Sequence, residues 1–236
     1  MLKTFPQLKE PYLEVQKMKL VIIDYGSGNL KSVENAFKNS IKNNDLNFNI
    51  EVTNELKSII KSDLIVLPGV GSFPDCKKGL QKIDGLIEVL FDQVILNYKP
   101  FLGICVGMQL MAECSLEKVK TNGFGWFEGS IEKINNLGFD YLGRNFKIPH
   151  MGWNNLEISK EKHPILKNIT EKEQFYFIHS YYLNTEEKNK IYANTTYNHI
   201  IPAVIANDNY VGVQFHPEKS SYSGQKLISN WLQWKP

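Results

Sequence analysis

Short apolar runs alternate with amphipathic stretches through the first half of this 236-residue chain. Continuous apolar runs are typical of strands that are covered on both faces, and they lie at 19–24, 49–52, 63–67 and 100–104. An amphipathic helix follows the first run, with Val33 and Phe37 on its apolar face, and another helix is predicted over 85–98. Strands that alternate with helices at this spacing predict an α/β fold with a mostly parallel central sheet flanked by helices.

The pattern changes after residue 120, where shorter β-like runs replace this alternation. These runs lie at 129–134, 146–148, 174–178, 191–194, 203–206 and 210–215. A helix is predicted over 224–234. Because no linker-like segment separates the two halves, we expect a mixed, largely antiparallel β extension of one domain, which spans 18–236. Residues 1–17 are polar and broken by two prolines, and we interpret them as an N-terminal extension.

Gly103, Cys105 and Gly107 mark a sharp turn between the fourth apolar run and a helical pattern. An elbow of this kind strains the backbone of its central residue, so the residues two positions away must be small. It would hold the Cys105 side chain at the carboxyl end of a strand, where the active sites of parallel sheets lie. A helix N-terminus there favours the thiolate, which is the nucleophilic form of cysteine. The alternative is a buried, unreactive cysteine in a strand–helix joint.

A thiolate nucleophile also needs a base, and His216 is the best candidate among the five histidines. An apolar strand precedes it, and Glu218, two positions on, can reach the ring and fix its orientation. The N–H of Val106 and a glycine-rich segment that ends at Gly71 could supply oxyanion donors. Each of these features alone also fits an ordinary turn.

Composition and charge exclude several other classes of protein. The formal net charge is +2, which gives no reason to expect a nucleic-acid partner. The three scattered cysteines do not form a disulfide framework or a metal site, and they fit a reducing compartment. No apolar run approaches the length of a membrane span, and no signal-peptide pattern starts the chain. We therefore expect a cytoplasmic protein that binds no metal.

The spacing Gly-x-Cys-x-Gly-x-Gln at 103–109, with His-Pro-Glu at 216–218, resembles the class I, triad-type glutamine amidotransferases. Further motifs make about 18–231 similar to the glutaminase subunits of imidazole glycerol phosphate synthase. These motifs are Asp-Tyr-Gly-Ser-Gly-Asn-Leu at 24–30, Leu-Pro-Gly-Val-Gly-Ser-Phe at 67–73, Pro-His-Met-Gly-Trp-Asn at 149–154, Phe-Tyr-Phe-Ile-His-Ser-Tyr-Tyr at 175–182 and Gly-Val-Gln-Phe-His-Pro-Glu-Lys-Ser at 212–220. The resemblance implies the class I glutamine amidotransferase fold for residues 18–236.

The resemblance also implies a role for each matching residue. Cys105 matches the family's nucleophile, His216 its general acid and base, and Glu218 the carboxylate that orients the histidine. Gly71 and Val106 match the oxyanion positions. The positions that match the glutamine pocket are Gln109, Glu117, Tyr176, Ser180 and Tyr181, and those that match the partner interface are Asn29 and Lys219.

The partner that the resemblance implies is a HisF-type (β/α)8-barrel cyclase subunit, in a one-to-one heterodimer. Ammonia from glutamine would pass to this subunit, which converts PRFAR to imidazole glycerol phosphate and AICAR in histidine biosynthesis. The resemblance implies no cofactor, no nucleic acid and no membrane partner. It also implies low glutaminase activity until the partner binds its own ligand.

The peptide segment between Gly69 and Gly71 gives a physical basis for such control. A segment with glycine on both sides can rotate at low steric cost. Our hypothesis is that Val70 presents its carbonyl at rest and its N–H in the active state, which then completes the oxyanion site.

Three alternatives to this function stay open. The chain could be a paralogue that feeds ammonia to another pathway, such as amidino-sugar synthesis, because the pocket motifs would be the same. It could be a catalytically idle binding subunit, although the intact Cys105, His216 and Glu218 disfavour this. It could be an esterase or peptidase of the α/β-hydrolase type, but there the acid precedes the histidine in the chain.

Overall fold

Four parallel strands, formed by the early apolar runs, make up one half of the main sheet. The computed structural model describes residues 17–135, 138, 143 and 145–236. The four strands are β1 (Met18–Ile23), β2 (Phe48–Thr53), β3 (Leu64–Gly69) and β4 (Phe101–Cys105). β1 pairs in parallel with both β2 and β3, and β3 pairs in parallel with β4. Every residue of β3 and β4 is buried, as predicted for strands that are covered on both faces.

Six α-helices are present in the described part of the chain. They are α1 (Leu30–Asn43), α2 (Leu56–Ile60), α3 (Phe73–Gln81), α4 (Leu86–Phe91), α5 (Val106–Gln109) and α6 (Ser221–Leu232). The helix predicted over 85–98 is interrupted, because α4 continues as a π-helical turn, Asp92–Leu96. Val33 and Phe37 are buried on α1, as predicted. None of the helices in the described part of the chain is long and apolar enough to cross a membrane.

The sequence did not predict α3. The Ser72 side chain caps this helix by accepting the N–H of Asp75 at 3.3 Å. The buried face of α3 includes Lys77, and Gly79 packs so closely on Tyr25 that a Cβ would lie 2.8 Å from the Tyr25 carbonyl oxygen. A buried lysine and a glycine on the packed face break the apolar periodicity from which helices are predicted.

The second half of the chain extends the main sheet and adds two smaller sheets. Its strands are β5 (Ala112–Ser115), β6 (Thr121–Asn122), β7 (Phe127–Lys133), β8 (His150–Asn155), β9 (Glu157–Ile158), β10 (Gln174–His179), β11 (Tyr181–Asn184), β12 (Ile191–Tyr197), β13 (His199–Asn207) and β14 (Tyr210–Val213). Within the described residues, the main sheet has the order β2-β1-β3-β4-β14-β13-β12-β9. β14 is parallel to β4, whereas β13, β12 and β9 continue in antiparallel pairs. The predicted mixed, largely antiparallel extension is therefore confirmed.

The strand predicted at 146–148 is wrong. The backbone N–H and carbonyl of Lys147 bond to the hydroxyl of Tyr197, at 3.2 and 2.8 Å, instead of to a neighbouring strand. The Phe146 ring packs edge-on against the same tyrosine. A side chain thus takes the backbone groups that a strand would have paired, and sequence periodicity does not register such a contact.

The carboxyl ends of three adjacent parallel strands meet at one edge of the main sheet. Gly69 at the end of β3 is paired with Cys105 at the end of β4, and Val213 at the end of β14 is paired with Ile104. Segments that leave these strands therefore converge at this edge, where ligands bind in open α/β sheets.

Candidate active site

Cys105 occupies the elbow between β4 and α5. Its backbone has φ +54° and ψ −109°, a conformation that a non-glycine residue seldom adopts. Neither flanking glycine could carry a side chain. A Cβ on Gly103 would lie 2.7 Å from the Gly107 carbonyl oxygen, and a Cβ on Gly107 would lie 1.9 Å from the Leu67 carbonyl oxygen. The helix after the elbow has only one regular turn, since the chain enters β5 at Ala112. The predicted elbow is confirmed, with a shorter helix than the pattern suggested.

His216 follows β14 and is held firmly at the same edge of the sheet. Its Nδ1 atom lies 2.8 Å from Oε1 of Glu218, and the two side chains are 3% and 2% exposed. Its backbone N–H donates to the Tyr176 carbonyl at 2.9 Å, and its own carbonyl accepts from the Ser220 hydroxyl at 2.6 Å. Nε2 is buried and has no hydrogen-bond partner of ordinary geometry among the described residues. The acceptor at Nδ1 leaves Nε2 as the nitrogen that can exchange a proton with a substrate.

The charge on His216 depends on its two neighbours. Burial alone lowers the pKa of His216, but the negative charge of Cys105 and the hydrogen bond and charge of Glu218 outweigh it and raise the pKa to about 10. The raised pKa favours the imidazolium form of His216 when the Cys105 thiolate is present. An imidazolium next to a sulfur favours the thiolate, so the pair is suited to nucleophilic attack followed by proton donation.

A cavity of about 450 Å³ opens beside Cys105 and His216. Of the residues selected from the sequence, it is lined by Asn29, Gly71, Cys105, Val106, Gln109, Glu117, Ser180, Tyr181, His216 and Lys219. Glu218 lies behind His216, outside the lining. Val70, Pro149, Ile178 and His179 also line the cavity. Among the described residues, no group of three or more His, Cys, Asp or Glu side chains is arranged to hold a metal ion.

Glu117 places a buried carboxylate in the wall of this cavity. Its Oε2 accepts the backbone N–H of Phe73, the first residue of α3, at 2.7 Å. Its own N–H donates to the Ser115 hydroxyl at 3.1 Å, which fixes the loop that carries it. A helix N-terminus attracts a negatively charged group, so this contact holds the Glu117 carboxylate in place. Such a group is suited to bind the ammonium of an amino acid.

Gln109 is linked to the nucleophile through a residue that the sequence did not single out. The Gln109 Nε2 donates to the Tyr181 carbonyl at 3.0 Å and to Oε1 of Gln214 at 3.1 Å. The Gln214 Nε2 in turn lies 3.7 Å from the Cys105 Sγ. Gln214 falls inside the motif at 212–220, but its position between two other motifs depends on packing and could not be derived from the chain order.

The segment from Gly69 to Gly71 has its polar backbone groups committed to Ser27. The Val70 N–H donates to the Ser27 Oγ at 3.4 Å, and the Val70 carbonyl accepts from the same hydroxyl at 2.7 Å and from the Cys76 thiol at 3.3 Å. Gly71 has φ +95°, and an added Cβ would meet no atom within 4 Å. The Val70 N–H is thus withheld from an oxyanion in this conformation. The sequence predicted neither contact of the Val70 carbonyl.

His179, which lines the cavity, forms a buried pair with His150. The Nδ1 of His179 lies 2.9 Å from the Tyr181 carbonyl, so it carries a proton and donates. The Nε2 of His179 then accepts from Nδ1 of His150, at 3.0 Å. Burial lowers the pKa of His150 to about 4 and that of His179 to about 3, so both are neutral at neutral pH. The pair therefore supports the Tyr181 carbonyl without adding a charge.

Tyr176 does not line the cavity, in contrast to the expectation for a pocket residue. Its ring lies under the Lys219 ammonium, with Nζ 5.8 Å from the ring centroid, and packs edge-on against Trp153. Trp153 and Met151 on β8 are 49% and 63% exposed. Exposed apolar side chains beside a basic rim residue are typical of an interaction surface.

The architecture and site together define a class of protein. The family model for class-I glutamine amidotransferases matches residues 21–234, and the chain belongs to this family. A protein of Brucella suis biovar 1 (strain 1330) named imidazole glycerol phosphate synthase subunit HisH is 43% identical over 93% of this chain and 100% of its own length. A Pelagibacter ubique (strain HTCC1062) protein of the same name is 44% identical over 91% of this chain and 99% of its own.

Solved structures agree in fold. A crystal structure described as a glutamine amidotransferase has a TM-score of 0.63 at 14% identity and covers 90% of this chain and 97% of its own. A glutamine amidotransferase from Thermotoga maritima has a TM-score of 0.53 at 16% identity, over 92% and 83% of the two chains. The class I glutamine amidotransferase fold is therefore confirmed.

Proposed function

We propose that this chain is the glutaminase subunit of an imidazole glycerol phosphate synthase. The observation that carries the proposal is the meeting of Cys105, the His216–Glu218 pair and the Glu117 carboxylate around one cavity. The names of relatives at 43–44% identity over almost the whole chain support the particular pathway. The active domain is residues 18–236, and the protein acts in the cytoplasm without a cofactor.

The reaction begins with attack by the Cys105 thiolate on the side-chain amide carbon of glutamine. The oxyanion is stabilised by the N–H of Val106, the first residue of α5, which has no acceptor within the helix. His216 donates its proton to the leaving ammonia as the C–N bond breaks, which leaves a thioester on Cys105. Neutral His216 then takes a proton from water, which attacks the thioester and releases glutamate. Glu218 keeps the ring oriented in both steps.

Several residues that line the cavity bind the substrate in this proposal. Glu117 receives the ammonium of glutamine, since its carboxylate is held at the α3 N-terminus and faces the cavity. Gln109, Ser180 and Tyr181 line the same cavity and complete the glutamine pocket. Tyr176 acts outside the pocket, through its backbone contact with His216 and its contact with Lys219.

The partner in this proposal is a HisF-type (β/α)8-barrel cyclase subunit. Asn29 and Lys219 line the cavity. Trp153 and Met151 are exposed on β8, which begins directly after the cavity residue Pro149. A partner bound to this face would therefore cover the opening of the cavity. Ammonia released inside would then enter the barrel without passing through bulk water. Rotation of the Val70 backbone away from Ser27 would link partner binding to the oxyanion site.

The proposal is tested by measuring glutamate release from glutamine by this chain alone, and then with a HisF-type subunit and PRFAR. We expect low activity alone and strong stimulation by the pair, and none with Cys105→Ala. Turnover that ignores both additions would assign the same triad to another ammonia acceptor. The absence of turnover under every condition would overturn the glutaminase assignment.

A further inference from the structure

Gln214 lies between the nucleophile and the glutamine pocket, and it is wholly buried. It leaves the end of β14 two residues before His216, and its backbone N–H donates to the Ala203 carbonyl at 2.9 Å. Its side-chain amide then reaches Gln109 on one side and Cys105 on the other. The Gln214 amide therefore forms its hydrogen bonds with residues of the active site and not with solvent.

The hydrogen-bond network fixes which end of the Gln214 amide faces the sulfur. A backbone carbonyl only accepts, so Gln109 must turn its amide nitrogen toward the Tyr181 carbonyl. The second hydrogen on that nitrogen points to Gln214, which must therefore present its Oε1 there. The Gln214 Nε2 is left facing the Cys105 Sγ at 3.7 Å, as an N–H donor. The orientation of the amide follows from three contacts and not from a choice of rotamer.

We propose that Gln214 is a positioning residue that donates a hydrogen bond to the Cys105 thiolate and holds the sulfur next to Nε2 of His216. This inference rests on the proposed glutaminase function and extends it. Cys105 is buried, and a buried anion requires donors to replace the water it has lost. The imidazolium supplies one such partner, and the Gln214 amide supplies a second that carries no charge and does not titrate. Because its Oε1 also orients Gln109, the same amide couples the nucleophile to the substrate pocket.

The test is the rate at which iodoacetamide alkylates Cys105, measured against pH and located by peptide mass spectrometry. The variant Gln214→Met keeps the length of the side chain and removes the donor. A hydrogen bond to a charged group is worth about a tenfold change or more, so we expect alkylation at pH values below the midpoint of its pH dependence to slow about tenfold. The midpoint of the pH dependence should rise by about one pH unit. Gln214→Glu keeps the shape and adds a carboxyl group beside the sulfur, so it should slow alkylation further.

Asn209 offers a matched control at the opposite end of β14. Its buried side-chain amide donates to the carbonyls of Val94 and Lys99, at 2.8 and 2.7 Å. Asn209→Leu removes two buried hydrogen bonds and should lower the melting temperature, yet leave the pH dependence of Cys105 alkylation unchanged. A purely structural effect of Gln214 would make the two variants behave alike.

Alkylation needs neither glutamine nor a partner, so its result is independent of the proposed function. A normal rate and midpoint in Gln214→Met and Gln214→Glu would overturn the inference, even where the wild-type chain hydrolyses glutamine. A raised midpoint in Gln214→Met relative to wild type, found while the wild-type chain never releases glutamate, would support the inference and overturn the glutaminase assignment. If Gln214→Met fails to fold, Gln214→Glu decides, because its shape is that of the native residue.

Discussion

The Nδ1 atom of His216 lies 2.8 Å from Oε1 of Glu218, and the two residues are separated in the chain by Pro217 alone. Pro217 begins a short 3₁₀ turn, so backbone geometry brings the carboxylate back under the ring. The proposed base and the group that orients it therefore form one local unit. Cys105 reaches this unit only through the pairing of β4 with β14.

Replacing Glu218 by glutamine should impair turnover without unfolding the protein. Glutamine has the same shape, but it removes the charge that helps to hold the proton on His216, and it can present an N–H to Nδ1. The loss of the orienting carboxylate in a triad costs on the order of 10²–10⁴-fold in kcat. Stimulated glutaminase activity and the melting temperature should be measured together. Glu173→Gln, which breaks an ion pair with Lys226, is the control and should keep its activity. Equal losses of activity in Glu218→Gln and Glu173→Gln would contradict the triad.

Replacing Glu117 by glutamine should raise the KM for glutamine more than it lowers kcat. The carboxylate is proposed to hold the substrate ammonium, and a hydrogen bond to a charged group is worth about 10–100-fold. Glu113→Gln is a close control, since its carboxylate also accepts a backbone N–H, from Gly129 at 3.0 Å, but lies outside the cavity. Steady-state kinetics of the stimulated enzyme separate the two parameters. A normal KM in Glu117→Gln would remove this residue from the pocket.

Replacing Gly71 by valine should reduce stimulated activity far more than stability. The glycine has φ +95°, and a Cβ would meet nothing within 4 Å, so the cost is backbone strain of about 1–2 kcal/mol. Loss of an oxyanion donor costs on the order of 10²–10³-fold in kcat. Gly125→Val is the control, because Gly125 also has positive φ, +70°, and open space. Activity that falls only in proportion to the unfolded fraction would reject a mobile oxyanion segment.

Acid should destabilise the fold partly through buried neutral histidines. Burial lowers the pKa of His163 to about 4, from 6.5. The unfolded chain therefore binds a proton at higher pH than the folded chain, so this stabilisation is present above pH 6.5 and is lost as the pH falls toward 4. Asparagine cannot titrate, and its Oδ1 can still accept the Ile165 N–H that Nδ1 of His163 accepts at 3.3 Å.

The free energy of unfolding of His163→Asn and of wild type should be measured in urea across this range. The wild type should lose about 2 kcal/mol more than the variant between neutral pH and about pH 5. A constant offset from the lost ring contacts with Tyr192 and Trp234 is expected at every pH. Parallel curves would mean that His163 does not contribute to the pH dependence.

Local patterns predicted much of this molecule, and long-range contacts account for most of what they missed. The buried strands, the elbow at Cys105 and the adjacency of His216 and Glu218 are set by neighbouring residues, so the sequence carries them directly. The bond between Gln109 and Gln214 joins residues 105 positions apart and depends on how β4 and β14 pair. Tyr197, which takes the backbone groups of Lys147, is 50 positions from it, and no periodicity reports that contact.

The most direct test of ammonia transfer from this site to the partner follows the amide nitrogen of glutamine. Glutamine labelled with ¹⁵N in its side chain is supplied to this chain, a HisF-type subunit and PRFAR, with an excess of unlabelled ammonium in solution. We predict that the imidazole glycerol phosphate formed carries the ¹⁵N label despite that excess, and that Cys105→Ala abolishes the label. Product whose nitrogen matches the bulk ammonium would contradict the transfer of ammonia from this site to the partner.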